Sequence, residues 1–154
     1  MEMADRLRAA RTNTGLSQSD VAVRAGTTQS AIARYETGAV TPHHETFARI
    51  MAAIGYTPSQ ALRQHHERVV EVVTQYDVSE LQVFGSTARH DDTCLSDLDL
   101  VATFGPHVSF VDITSFQEDL ESVLGVPVDV ISAAGLRPER LTAHREIIAE
   151  MVPV

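Results

Sequence analysis

The chain contains no lysine, and all 12 of its basic residues are arginine. It has a single cysteine, Cys94, which excludes an internal disulfide and offers no basis for a zinc cluster. No apolar run approaches the roughly 20 residues that a membrane-crossing helix needs. The opening segment MEMADRLRAA has no apolar core of the kind a secretory leader carries, so a cytoplasmic protein is expected. Positive charge is scarce overall: 12 arginines against 21 acids leave a net charge of −9. That balance excludes a protein that coats nucleic acid over its whole surface. Internal repeats and low-complexity tracts are also missing. What is present is ordinary for a folded protein: 154 residues, 44% of them hydrophobic, enough for one medium domain or two small ones.

The charge is unevenly distributed. Residues 1–60 carry six arginines (Arg6, Arg8, Arg11, Arg24, Arg34, Arg49) against five acids (Glu2, Asp5, Asp20, Glu36, Glu45), close to +1. The remainder is therefore near −10. Two halves with different electrostatics point to two different partners.

Glycine punctuates the first half. Met3, Leu7 and Ala10 give residues 3–12 an apolar helical stripe, ended by Gly15. Ser17 is positioned to cap a second helix that Gly26 closes, and Thr28 starts a third that Gly38 closes. Thr41-Pro42 opens a fourth, closed by Gly55. Four short helices in 55 residues predict a compact all-α domain over 1–57. A longer helix over about 58–76 presents Leu62, Val69, Val70, Val72 and Val73, and is assigned to a second domain over 58–154.

After Tyr76 the pattern changes. Short strands are expected at Leu81–Phe84, Asp97–Phe104 and Val126–Ile131. A helix capped by Ser109 lies between the last two, with Phe110, Ile113, Phe116, Leu120, Val123 and Leu124 on its apolar side. A C-terminal helix is expected over Glu139–Met151. Strands and helices alternating in this way make a small α/β or α+β domain with a mixed sheet.

Two sets of residues carry chemistry. In SQSDVAVRAGTTQSAIARYETG, two helices joined at Gly26 would set the second in a DNA major groove. Thr28, Gln29, Ser30 and Arg34 would face out, with Ile32 and Tyr35 facing the core. Gln29 and Arg34 can contact base edges, and Gln18 can meet a phosphate. The bland alternative is a helical packing domain without DNA contact. The second set is Gly85-Ser86, Asp97-Leu98-Asp99 and Asp129. Residues two apart on a strand point to one face, so Asp97 and Asp99 converge while Leu98 and Leu100 face the core. Three close carboxylates repel one another unless cations neutralise them. The Gly-Ser turn can hold phosphate through backbone N–H groups. Arg89 is left with two readings, charge for the phosphates or a salt bridge. Cys94 reads as a bystander, and His43-His44 and His65-His66 as surface pairs. A lone Asp-x-Asp or Gly-Ser is usually a surface turn; here all the parts occur in order.

Residues 3–56 resemble the lambda-repressor-like, or Xre, helix-turn-helix domains, on the pattern GLSQSDVAVRAGTTQSAIARYETG and its flanks. Residues from about 60 to 154 resemble the minimal nucleotidyltransferases of the DNA polymerase beta superfamily, on Gly85-Ser86, Asp97-x-Asp99 and Asp129. They depart from that pattern at His90, where many members have glycine. The second resemblance implies transfer of AMP from ATP, with Asp97, Asp99 and Asp129 binding two Mg²⁺ ions and Gly85, Ser86 and Arg89 at the triphosphate. It also implies a role for Asp129 as proton acceptor. The two together imply an antitoxin that adenylylates a HEPN-type RNase toxin and represses its own operon. The partners would be that toxin, operator DNA and a nucleoside triphosphate, with a homodimer or a toxin–antitoxin complex as the assembly and no membrane. One alternative is a DNA-binding repressor whose second domain is non-catalytic and neutralises a toxin, or senses nucleotide, by binding only. A further alternative is modification of a small molecule.

Overall fold

The computed structural model describes residues 1–139 and 141–154. Four helices come first: α1 (Met3–Asn13), α2 (Gln18–Ala25), α3 (Gln29–Glu36) and α4 (His44–Ile54). Local chemistry sets most of their ends. Ser17 and Asp20 form a capping box at the start of α2, and the Thr28 hydroxyl accepts from the Ala31 N–H at the start of α3. The left-handed Gly26 and Gly55 close α2 and α4. The expected cap at Thr41 is not used; α4 begins three residues later, after His43, with no side-chain cap. Pro42 instead lies buried just before it.

A buried carboxylate ties this bundle together. Glu36, 2% exposed, accepts from Arg11 Nε at 2.5 Å, from Arg11 Nη2 at 3.0 Å and from Gln18 at 2.8 Å. Its backbone carbonyl accepts from Arg8. A bidentate partner plus an amide donor is what a buried carboxylate requires.

The long helix α5 (Pro58–Gln75) starts on a Thr57–Gln60 capping box and bends at His65, whose φ/ψ of −115/19 is not helical. The bend sets Val69 and Val72 inward and leaves Val70, one residue round the helix, 50% exposed. His65 departs from the surface reading too: it is half-buried, and its buried Nε2 has no partner among the described residues. Then follow β1 (Val78–Phe84), a short helix α6 (Gly85–Arg89), β2 (Leu98–Phe104), α7 (Phe110–Leu124), β3 (Val128–Ser132), α8 (Thr142–Glu150) and β4 (Val152–Pro153). The C-terminal helix is shorter than expected at both ends, and residue 140 of its expected span lies outside the described residues. The strand β4 is not among the expected elements; a two-residue strand containing proline has no alternation to read.

The sheet is mixed, in the order β3-β2-β1-β4. The β1–β2 and β1–β4 pairs are antiparallel, and β2–β3 is parallel, joined through α7. The central strand β2 buries Leu98, Leu100, Val101 and Ala102. On α7, Phe116, Leu120, Val123 and Leu124 are buried as the periodicity predicts, but Phe110 is 82% exposed because it opens the helix before α7 reaches the sheet.

The two halves share one continuous cluster of buried side chains. Tyr56 links them: its hydroxyl donates to the Leu124 carbonyl at 2.9 Å and accepts from Asn13 Nδ2 at 2.9 Å. Burial pushes its pKa up to about 12. Helix α1 lies so close to Gly125 that a Cβ there would meet Ala9 Cβ and Asn13 Nδ2 at 2.8 Å. Tyr56→Phe keeps the ring but removes two hydrogen bonds, leaving Asn13 and the Leu124 carbonyl joined only by their own 3.3 Å bond, so it should lower stability by about 1–2 kcal/mol. Differential scanning calorimetry would read that as a melting point lower by roughly 2–8 °C.

Candidate active site

The acidic residues meet where β2 begins. Asp99 on β2 stands in register with Asp129 on β3, directly across the parallel pair. Asp97 lies one residue before β2, not within it, and two residues from Asp99. Leu98 and Leu100 are fully buried, so the alternation along β2 places Asp99 on the opposite face. Asp97 and Asp129 are exposed and Asp99 is half-buried.

Their electrostatics show the proximity. Burial raises the Asp99 pKa above the usual carboxylate range, and the charges of Asp129 and Asp97 raise it further. Arg89 acts in the opposite direction. As they stand, no three His, Cys, Asp or Glu side chains among the described residues form a closed group of metal ligands. Asp99 is crowded by the charges of both other aspartates, without a finished coordination shell among the described residues.

Across the antiparallel pair, Asp99 sits opposite Phe84, and the chain turns at the next residue, Gly85, with φ +67°. A Cβ on Gly85 would come within 2.5 Å of Asp99 Oδ2. The turn and the carboxylate are thus in contact, and only glycine fits between them. Ser86 follows, half-buried, and its hydroxyl makes no hydrogen bond among the described residues. The first N–H groups of α6 have no partner within the helix. The donor set fits a nucleoside triphosphate with divalent cations: helix-start N–H groups and a hydroxyl for phosphate, and three neighbouring carboxylates for the cations.

Arg89 takes the salt-bridge geometry. Its Nη1 meets Glu150 on α8 at 2.8 Å and its Nε meets Asp91 at 3.4 Å. His90 ends α6 in the left-handed region at φ +60°. The departure from glycine at this position therefore carries backbone strain. His90→Gly should stabilise the protein by about 1 kcal/mol, readable as a shift in the denaturant midpoint. Cys94 is half-buried, and burial raises its pKa, which keeps the thiol protonated and inert.

Sequence reasoning misses one residue here. Arg6, on α1 in the other half of the chain, reaches the loop that leads into β2. Its Nη2 donates to the carbonyls of Ser96 at 2.9 Å and Cys94 at 3.2 Å, and its Nη1 faces Asp97 Oδ1 at 3.4 Å. A contact spanning 91 positions leaves no trace in local pattern.

The residues expected to contact DNA lie at exposed positions except Gln18. Thr28, Gln29, Ser30 and Arg34 are exposed, Thr28 as the cap of α3 and the others within it, while Ile32 is fully buried and Tyr35 partly so. Gln18 is half-buried and already engaged: it donates to Glu36 and accepts from Gln29 at 2.7 Å. It orients Gln29 and Glu36 rather than projecting freely.

A helix-turn-helix bundle docked on a small mixed sheet with an acidic rim beside a Gly-Ser turn defines a two-part protein with a nucleotide-transferring domain. Residues 2–65 match the family described as "Helix-turn-helix domain", and residues 62–152, more than half of the chain, match "Nucleotidyltransferase domain". Similar curated proteins come from Methanocaldococcus jannaschii and bear the name "putative protein adenylyltransferase". One is 31% identical over 71 residues, covering 46% of this chain and 76% of its own length. Another is 33% identical over 75 residues, covering 47% and 72%. A solved structure titled "Structure of putative minimal nucleotidyltransferase" superposes with a TM-score of 0.54 at 31% identity, over 62% of this chain and 95% of the other. The chain belongs to the nucleotidyltransferase domain family, carried behind a helix-turn-helix domain. That family implies a nucleotide substrate and typically a divalent metal. No helix among the described residues is long and apolar enough to cross a membrane.

Proposed function

We propose that this chain is an antitoxin, built of units 1–57 and 58–154, that transfers AMP from ATP to a HEPN-type RNase toxin and represses its own operon. The observation that carries the transferase half is the contact of the Gly85 turn with Asp99, itself in register with Asp129. Support for a protein acceptor is the name borne by the M. jannaschii relatives. The outward placement of Thr28, Gln29, Ser30 and Arg34 at α3 supports operator reading. With the first half near +1, tight DNA binding would call for a dimer or a complex with the toxin. The acidic second half favours docking on a basic toxin surface.

In this reading, Gly85, Ser86 and the N–H groups that follow hold the triphosphate. Asp97, Asp99 and Asp129 hold Mg²⁺, which when bound neutralises charge developing on the phosphate oxygens. Asp129 is exposed and takes the proton of the acceptor hydroxyl. The hydroxyl oxygen bonds to the α-phosphorus, the bond to the β-phosphate oxygen breaks, and pyrophosphate leaves. Arg89, held by Glu150 and Asp91, contributes positive potential at Asp99. The test mixes the protein with α-labelled ATP, Mg²⁺ and the product of the neighbouring gene. Label should move to that product and its RNase activity should fall. Transfer that survives Asp97→Ala together with Asp99→Ala would rule out this site.

A second reading has a specific observation in its favour. Arg6 faces Asp97 at 3.4 Å, setting a cation of the protein's own beside a carboxylate that the catalytic reading assigns to a metal ion. A non-catalytic domain that neutralises a toxin or senses nucleotide by binding would tolerate that arrangement. Full neutralisation by the Asp97→Asn protein, with no nucleotide turnover by the wild type, would select it.

A further inference from the structure

We propose that Arg6, supplied by the helix-turn-helix half, is a positioning residue for Asp97, so that the nucleotidyltransferase site is complete only with α1 docked against it. The inference rests on the reading of Asp97, Asp99 and Asp129 as the divalent-cation site and adds a residue from outside that domain. One guanidinium nitrogen bonds two carbonyls of the loop 93–97, Ser96 at 2.9 Å and Cys94 at 3.2 Å. The other lies 3.4 Å from the Asp97 carboxylate. The loop has no regular secondary structure until Leu98, and it must fix where Asp97 points. Its own support is a Thr93–Ser96 turn, with the Ser96 hydroxyl accepting from the Thr93 N–H at 2.9 Å. Ser59 holds the residue before the loop, Asp92, at 2.6 and 2.8 Å, and Arg6 is the long-range brace on the side that carries Asp97.

The two parts of the contact pull in opposite directions, and their geometry decides between them. A cation beside Asp97 competes with a bound metal ion and would weaken its binding. That ion pair is long, however, and Asp97 is 61% exposed, so water screens it. The carbonyl bonds are shorter and are made by a side chain only 12% exposed. Charge-assisted bonds of that kind hold a backbone firmly. Loop positioning therefore outweighs competition, and removing Arg6 should weaken cation binding. Helix α1 is in turn fixed to the second domain by the Tyr56–Asn13–Leu124 contacts and by the Met1 amino group, 3.3 Å from Glu121.

The test is Mn²⁺ titration of the full chain, followed by electron paramagnetic resonance, on wild type, Arg6→Ala, Arg6→Lys and Asp99→Asn. Melting points are measured alongside to confirm folding. Wild type should bind Mn²⁺ in a way that Asp99→Asn abolishes. Arg6→Ala should fold yet bind roughly 10–100-fold more weakly, the loss usual when a residue that orients a metal ligand is removed. Arg6→Lys keeps the charge but not the planar fork, and should recover only part of the loss. A folded Arg6→Ala protein with wild-type or tighter Mn²⁺ affinity would overturn the proposal, because a merely structural arginine would move the melting point alone. If Arg6→Ala does not fold, Arg6→Lys decides: unchanged affinity overturns the proposal, reduced affinity supports it. Wild-type protein that binds no Mn²⁺ through Asp99 takes down the reading of the site itself.

Discussion

Asp99→Asn is expected to do two opposite things: reduce nucleotidyl transfer by on the order of 10³-fold and raise the melting point of the metal-free protein. The first follows from losing the carboxylate nearest the Gly85 turn. Charge stabilisation by a bound cation is worth several kcal/mol, and each 1.36 kcal/mol is tenfold in rate. The second follows from the raised pKa of Asp99, caused by burial and then by Asp129 and Asp97. A carboxylate whose folded pKa lies above its unfolded value favours folding fully below the unfolded value of 3.8. That contribution is lost as pH rises through the folded value. At neutral pH the ionised Asp99 therefore opposes folding when no cation is bound, and asparagine removes the penalty. Thermal melts in chelator should show the variant more stable at pH 7, the advantage shrinking as pH falls through the folded pKa of Asp99. Added Mg²⁺ should raise the melting point of wild type and not of the variant. A variant that is less stable at pH 7 in chelator would contradict the crowded-carboxylate picture.

Gly85→Ala is expected to be nearly as damaging to transfer while leaving every charge in place. The new Cβ would lie 2.5 Å from Asp99 Oδ2, inside contact distance, and the residue holds φ at +67°. The left-handed backbone alone costs about 1–2 kcal/mol for a residue with a Cβ. To relieve the clash, either the Asp99 carboxylate rotates away or the turn opens. Each separates the phosphate-holding turn from the acidic rim. A misplacement of about 1 Å at a reacting centre is worth roughly 10²-fold in rate. Steady-state kinetics would show a fall in kcat of that order, with a lower melting point in calorimetry. Wild-type kcat in a folded Gly85→Ala protein would mean that the turn does not touch the chemistry.

The readable parts of this sequence are those where local rules act alone. Ser17, Thr28 and Ser109 cap helices where the sequence places them, and Gly26 and Gly55 close helices in the left-handed conformation. The period-two placement of Leu98, Asp99 and Leu100 separates rim from core by alternation, and the register of Asp99 with Asp129 is the geometry that a shared rim requires. What cannot be read locally depends on distant parts of the chain. The bend at His65 lies inside a helix with no proline beyond its first turn. The strand β4 exists because β1 offers it an edge. Phe110 and Val70 satisfy a helical pattern yet face solvent, since periodicity names a face without saying where the neighbouring layer stops. Gln18 is drawn inward by Glu36, a partner 18 positions away. Arg6 reads locally as one more arginine on an amphipathic helix, and its role comes wholly from how the two halves dock.

The central claim is physical: the carboxylates of Asp97, Asp99 and Asp129 share divalent cations beside the Gly85-Ser86 turn that holds the triphosphate. Anomalous diffraction from crystals grown with Mn²⁺ and a non-hydrolysable ATP analogue tests it most directly. Manganese peaks bounded by those three side chains, with the triphosphate on the backbone of residues 85–88, are the expected result. Manganese held by other residues, or a triphosphate bound away from that turn, would contradict it.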